Sequence, residues 1–231
     1  MSAKRMTRAR ATELAASRWQ DERVRLAALT AVIVLVVVGV LAVIYARNAT
    51  GGSSSGSAAA GRYPFQVGSP GPGQAAPAVS LPSTDGSTFD LSALRGQTVL
   101  LYFQEGVDCQ PCWDQLRDIE RNLPQFQALG IDKIVSITTD PLSALKQKVA
   151  VEHLTTPILS DSSVTVSKSY HANSYGMMGA GMDGHSFVLV NRQGTIAWRA
   201  DYGGAPKYTM YVPVSNLLAD IRKGLGGGSV Q

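Results

Sequence analysis

The sequence predicts an α/β fold: a central mixed sheet flanked by helices, preceded by one N-terminal transmembrane helix. Three observations predict it. Apolar, β-branched runs at 98–103 (TVLLYF) and 133–138 (KIVSIT) alternate with helical stretches, the pattern of strands joined by crossover helices. Two further runs, 185–190 and 195–199, flank Asn191-Arg192-Gln193-Gly194, a hairpin signature with Gly in the turn. Residues 26–45 (LAALTAVIVLVVVGVLAVIY) carry no charge over 20 positions. As a helix they would span about 30 Å, the hydrocarbon thickness of a bilayer.

The apolar run comes first. Residues 1–25 hold seven of the 21 Lys/Arg and three of the 17 Asp/Glu, so the rest of the chain is neutral. The positive-inside rule then puts a basic tail, 1–25, in the cytoplasm and everything after residue 45 outside, on a single-pass cell-membrane protein. A cleaved signal peptide has a shorter apolar region and a small-x-small site, which Ile44-Tyr45-Ala46 does not offer. The run is apolar on all faces, which argues against an amphipathic core helix. Residues 46–75 read as a flexible linker, because 51–61 are all Gly, Ser or Ala and 69–77 continue in Pro, Gly and Ala. The folded domain is expected over 76–225, with 226–231 a flexible tail. A neutral domain carries no basic face, so no nucleic-acid partner is expected.

Within the domain, 98–103 is a buried strand. A helix follows from about Cys109 to Leu129, its apolar positions Cys112, Leu116, Ile119, Leu123 and Phe126 stepping by four and three; Pro124 should kink it and Gly130 stop it. Strand 133–138 leads to Asp140-Pro141, an N-cap and a first-turn proline opening a helix through about His153. Pro157–Leu159 is a short strand and Asp161–Ala172 a short helix. The hairpin 185–199 and a last amphipathic helix, Pro213–Leu225, complete the order β-α-β-α-β-α-β-β-α. The sheet should be largely parallel, with the last hairpin strand antiparallel.

The chemistry concentrates in Cys109-Gln110-Pro111-Cys112, the only two cysteines of the chain, at a strand-to-helix boundary. A helix start stabilises a thiolate on the first cysteine, and the second lies one turn in. Zinc would need a second ligand pair, and His153, His171 and His185 lack the spacing. A bridge three residues apart would constrain almost nothing as a structural staple. Two inert buried cysteines remain the alternative to a redox pair. In the redox reading Cys109 attacks and Cys112 resolves, and the charge of Asp108 opposes the Cys109 thiolate. Glu105 and Asp108 read as solvated loop charges, with a proton relay the alternative. Trp113 and Trp198 read as core or rim aromatics, and His153 and His171 as surface residues near helix ends.

Residues Pro77 to Gly204 resemble the thioredoxin-like superfamily, in its peroxiredoxin (AhpC/TSA) and membrane-anchored ResA/TlpA branches. The matching pieces are Asp85–Ser92, Leu94-Arg95-Gly96, the strand Val99–Phe103, the CxxC, Leu159-Ser160-Asp161 and Ser186–Gly194. The resemblance implies a thioredoxin-like sheet with Cys109 and Cys112 as the redox centre at the first helix start. Where peroxiredoxins carry a proline seven residues, and a Thr/Ser three residues, before the attacking cysteine, this chain has Tyr102 and Gly106. Gly184 or His185 stands where that family has an arginine and thioredoxins a cis-proline. The expected function is therefore a membrane-tethered, extracytoplasmic thiol–disulfide oxidoreductase. Its expected partners are extracytoplasmic protein thiols and disulfides and a membrane or extracytoplasmic electron donor. No flavin or nucleotide motif occurs, and no cofactor is expected. Two alternatives stand beside it. One is a thiol-dependent peroxidase, a peroxiredoxin-like antioxidant. The other is Sco-like copper delivery using Met177, Met178, Met182 and His185, although that family spaces its cysteines CxxxC.

Overall fold

The computed structural model describes residues 34–40 and 62–226. Residues 34–40 are helical, with exposed side chains. The other residues of the expected 26–45 span lie outside the described ones. Among the described residues no helix is long and apolar enough to cross a membrane. The expected anchor, and the membrane location, outward-facing topology and extracytoplasmic partners that rested on it alone, are corrected accordingly.

Among the described residues, seven strands form two sheets. Strands β1 (Ser80–Pro82) and β2 (Thr88–Asp90) pair as a small antiparallel hairpin. Strands β3 (Val99–Phe103), β4 (Lys133–Thr138), β5 (Ile158–Ser160), β6 (Ser186–Val190) and β7 (Ile196–Asp201) form the central sheet in the order β5-β4-β3-β6-β7. β3, β4 and β5 run parallel; β6 is antiparallel to both β3 and β7. The reversed strand is therefore β6 and not the last strand of the hairpin. A hairpin must reverse one of its strands, but only the tertiary placement of β6 beside β3 decides which.

β3 is fully buried because both faces of the sheet are covered. Leu100 and Tyr102 point into a core with Trp113, Leu116 and Ile119 of α1 (Gln110–Arg121), Phe126 of α2 (Leu123–Gln127) and Leu145 of α3 (Leu142–Glu152). Leu217, Leu218 and Ile221 of α5 (Val214–Gly224) close the same layer. Val99, Leu101 and Phe103 point the other way, onto Leu81, Phe89, Tyr170 and Val166, the last in α4 (Thr165–Ser169). The expected helix 109–129 is thus two helices broken at Asn122, with Pro124 in the first turn of the second. α4 is shorter than expected because Asp161 turns its carboxylate onto the N–H groups of Thr165 and Ser167, and Val164 adopts a left-handed φ of 58°.

Residues 62–75 run along the outer edge of β7. Gln66 and Asp201 exchange backbone hydrogen bonds of 3.0 and 2.8 Å, and Ile196 N–H donates to Gln74 O. Arg199 and Asp201, two apart on β7 and on one face, form an ion pair with no exposed side-chain surface. Asp201 also accepts from Gly68 N–H, and Arg199 donates to Pro70 O.

Candidate redox site

β3 delivers the chain to the site. After Phe103, Gln104 N–H still bonds Ile137 O; the chain then turns through 105–108 into α1. Cys109 is the N-cap residue, its own N–H donating to Gly106 O, and Pro111 sits in the first turn, where its missing N–H has no helical partner to lose. Cys109 and Cys112 are joined as a disulfide with their Cα atoms 5.3 Å apart. Cys109 is 8% exposed and Cys112 fully buried. When reduced, Cys109 therefore stands at the positive end of a 12-residue helix, the setting that favours its thiolate. Lys148 of α3 donates to Gln110 and lies 5.4 Å from the centre of the Trp113 ring, adding a cation beside that helix start.

The loop before Cys109 is held by residues that the sequence did not single out for this role. Asp140 accepts from Val107 N–H at 2.9 Å and from the Thr138 hydroxyl at 2.7 Å. It was expected to cap α3; the N-cap there is Pro141, and the Asp140 carboxylate faces the cysteine loop instead. Gly106 has φ +96°, and a Cβ on it would overlap the Asp140 carboxylate and come within 2.7 Å of Thr138 Oγ1. A hydroxyl-bearing side chain therefore does not fit at 106. A hydroxyl and a carboxylate from β4 and the turn after it occupy that space. The only trace of this in the sequence is Gly106 itself. Trp113 locks the same turn by donating from its indole to Gly106 O at 2.9 Å.

Behind the disulfide the two other departures from the family motif meet. The Tyr102 hydroxyl lies 3.1 Å from His185 Nδ1 and 3.3 Å from Cys112 O. Burial alone pushes His185 down to about 3, so its imidazole is neutral. Burial, and then the charge of Glu105, push the Tyr102 hydroxyl up. Tyr102 is thus a neutral donor that ties His185 to the backbone of the CxxC.

Other expected residues sort differently. Glu105 is buried and accepts from Met177 N–H, so it anchors the 176–184 loop and is not a solvated charge; Asp108 is exposed. Met177 and Met178 are exposed, Met182 is half-buried and His185 is fully buried. The four therefore differ in their surroundings, His185 in the core and Met177 and Met178 facing solvent. Among the described residues no group of three or more His, Cys, Asp or Glu comes together to hold a metal. The methionine packed with the cysteines is a different one, Met210. Trp113 and Trp198 are core residues. His153 ends α3 in a left-handed conformation, and His171 is held to Ser69 O at 2.6 Å.

The sheet order and the paired cysteines at the first helix start define a thiol redox enzyme of thioredoxin-like fold. Residues 72–199 match the AhpC/TSA family, and the chain belongs to that family. A Mycobacterium tuberculosis protein assigned to the peroxiredoxins is 33% identical over 122 residues, 51% of this chain and 77% of that one. Peroxiredoxin Bcp of Escherichia coli is 30% identical over 127 residues, 54% and 81% of the two chains. Among solved structures, peroxidoxin BcpB from Mycobacterium tuberculosis aligns with TM-score 0.55 and 19% identity over 66% of this chain and 97% of its own. That last likeness concerns the fold. The chain is an enzyme of the peroxiredoxin and thiol–disulfide oxidoreductase type. These relatives correct two expectations. The membrane-anchored ResA/TlpA branch is not where the likeness lies, and tethered, extracytoplasmic disulfide exchange gives way to the peroxidase alternative.

Proposed function

We propose that this protein is a thiol-dependent peroxidase with Cys109 as the peroxide-attacking residue and Cys112 as the resolving one. The Cys109 thiolate attacks one peroxide oxygen, the O–O bond breaks, and the leaving oxygen departs as water or alcohol after taking a proton. Cys109 is left as a sulfenic acid. The Cys112 thiol attacks that sulfur, water leaves, and the disulfide forms. A partner thiol returns two electrons by exchange. The observation that carries this reading is the Cys109–Cys112 bond at the N-terminus of α1 in a chain of the AhpC/TSA family. In this reading Asp140 and Thr138 hold the loop ahead of Cys109 in the place of a motif hydroxyl, and Tyr102 and His185 support the CxxC from behind.

Stopped-flow oxidation of the reduced protein by hydrogen peroxide tests the proposal. Wild type should react far faster than free cysteine and cycle with a thiol donor. Cys109→Ser should abolish turnover, whereas Cys112→Ser should still reach the sulfenic acid once and then stall. A wild-type rate equal to that of an ordinary thiol would overturn the peroxidase reading.

A further inference from the structure

The disulfide is almost closed off: Cys109 is 8% exposed and Cys112 is 0%. A thiolate reduces a disulfide only by reaching a sulfur, so access limits this step as much as reactivity does. Met210, itself 7% exposed, packs with the two cysteines in an apolar cluster separate from both main cores. All three members of that cluster carry sulfur.

Met210 belongs to the segment between β7 and α5. On one side the segment is held by Thr209 N–H to Tyr202 O at 3.1 Å. On the other it is held by Val212 N–H to the Gln115 side chain at 2.7 Å and by the Tyr211 hydroxyl on Asp118. Met210 lies between these anchors. Its neighbour Tyr208 takes a left-handed φ of 46° and is 42% exposed. A groove of about 390 Å³ beside the site is lined by Pro111 of the CxxC and by Tyr211, with Asp114, Arg117, Asp118 and Arg121. Two of its lining residues, Pro111 and Tyr211, are the chain neighbours of Cys112 and Met210, which places the groove next to the sulfur cluster. Methionine is unbranched and has three rotatable bonds, so its side chain can swing aside while the anchored backbone stays in place.

We infer that Met210 is a specificity-determining residue of the redox centre: its side chain covers the Cys109–Cys112 disulfide and selects reducing thiols by size. The inference rests on the CxxC being the redox pair. In the step concerned, a thiolate attacks Cys109 Sγ and the Sγ–Sγ bond breaks. Its electron pair passes to Cys112, which takes a proton. A second thiol then resolves the mixed disulfide, releasing Cys109 as a thiol and the two reductant molecules as their own disulfide.

The test uses the oxidised full chain as wild type, Met210→Leu, Met210→Val and Met210→Ala. Each is reduced by β-mercaptoethanol and by the bulkier glutathione at equal thiolate concentration, and free thiols are trapped by alkylation and counted by mass. Leu matches Met in bulk and should stay within about twofold of wild type. Val and then Ala should be progressively faster, Ala by about tenfold with glutathione, a factor worth ~1.4 kcal/mol of barrier. With β-mercaptoethanol the gain should be clearly smaller, because the smaller thiol needs less opening. Val keeps the test alive if Ala fails to fold. A purely structural role would lower Tm without changing the ratio between the two reductants. Reduction of Ala and Val by glutathione at the wild-type rate, or equal acceleration with both thiols, would overturn the inference. This assay contains no peroxide, so an intact size effect without peroxide turnover would count against the peroxidase reading alone.

Discussion

At the scale of single residues, Gly106 makes the sharpest demand. It combines a φ of +96° with a side-chain volume already taken by the Asp140 carboxylate. Gly106→Ala should lose roughly 3 kcal/mol in denaturant unfolding, from left-handed strain and overpacking together. In the double variant with Asp140→Ala the loss should fall short of the sum, since the second change vacates the contested space. Two buried titratable groups act in opposite directions on stability. His185 is held down to about 3, so in the folded state it stays neutral where the unfolded chain takes up a proton. Its contribution is present above the ordinary histidine value near 6.5 and is lost as pH falls toward 3. Asp183 is 1% exposed, neither of its carboxyl oxygens finds a partner, and burial holds its pKa well above 3.8. Its contribution is present below 3.8 and is lost as pH rises. Between these limits the two slopes oppose each other. Thermal melts from pH 4 to 6.5 should therefore show stability rising with pH in Asp183→Asn and falling with pH in His185→Gln. Parallel curves for the two variants would contradict the assignment.

At the scale of elements, β7 is built around a charged pair with no exposed side-chain surface, Arg199 and Asp201. Removing one partner of a buried pair strands the other, so Asp201→Ala should cost about 3–5 kcal/mol. Arg199→Met with Asp201→Leu should cost less than Asp201→Ala alone, as measured by chemical denaturation. The expected strand stopped at Arg199, two residues short, and nothing in the local pattern reveals that residues 66–70 will cover Arg199 and Asp201. The β1–β2 hairpin was likewise not legible, because three-residue strands are too short for alternation to show. By contrast β3, β4 and the start of α1 were legible almost to the residue. Their signals are local: a 3.6-residue apolar period, a continuous β-branched run and a helix start at the CxxC.

At the scale of the whole molecule, the central sheet leaves neither edge bare. Residues 62–75 line β7, and Ser83 bridges to Leu159 on β5. An uncovered edge is a template for pairing with another chain. A chain beginning at residue 76 should therefore self-associate in sedimentation at concentrations where one beginning at residue 62 stays monodisperse. Equal behaviour of the two would show that the cover is dispensable.

The sequence by itself determined the thioredoxin-like α/β class, the order of its main elements and the place of the two cysteines at a helix start. All three rest on short-range periodicity and on two cysteines three residues apart. Its reading of 26–45 as a membrane anchor is the expectation that was corrected, since among the described residues no helix is long and apolar enough to cross a membrane. Tertiary structure alone decided which strand is reversed and that Asp140 and Thr138 fill the space at Gly106. It alone brought Tyr102 and His185 together behind Cys112 and laid Met210, and not Met177 or Met178, against the disulfide. Each of these joins residues 30 to more than 100 positions apart. Such contacts are made by the crossing of elements in space, which no local period in the chain encodes.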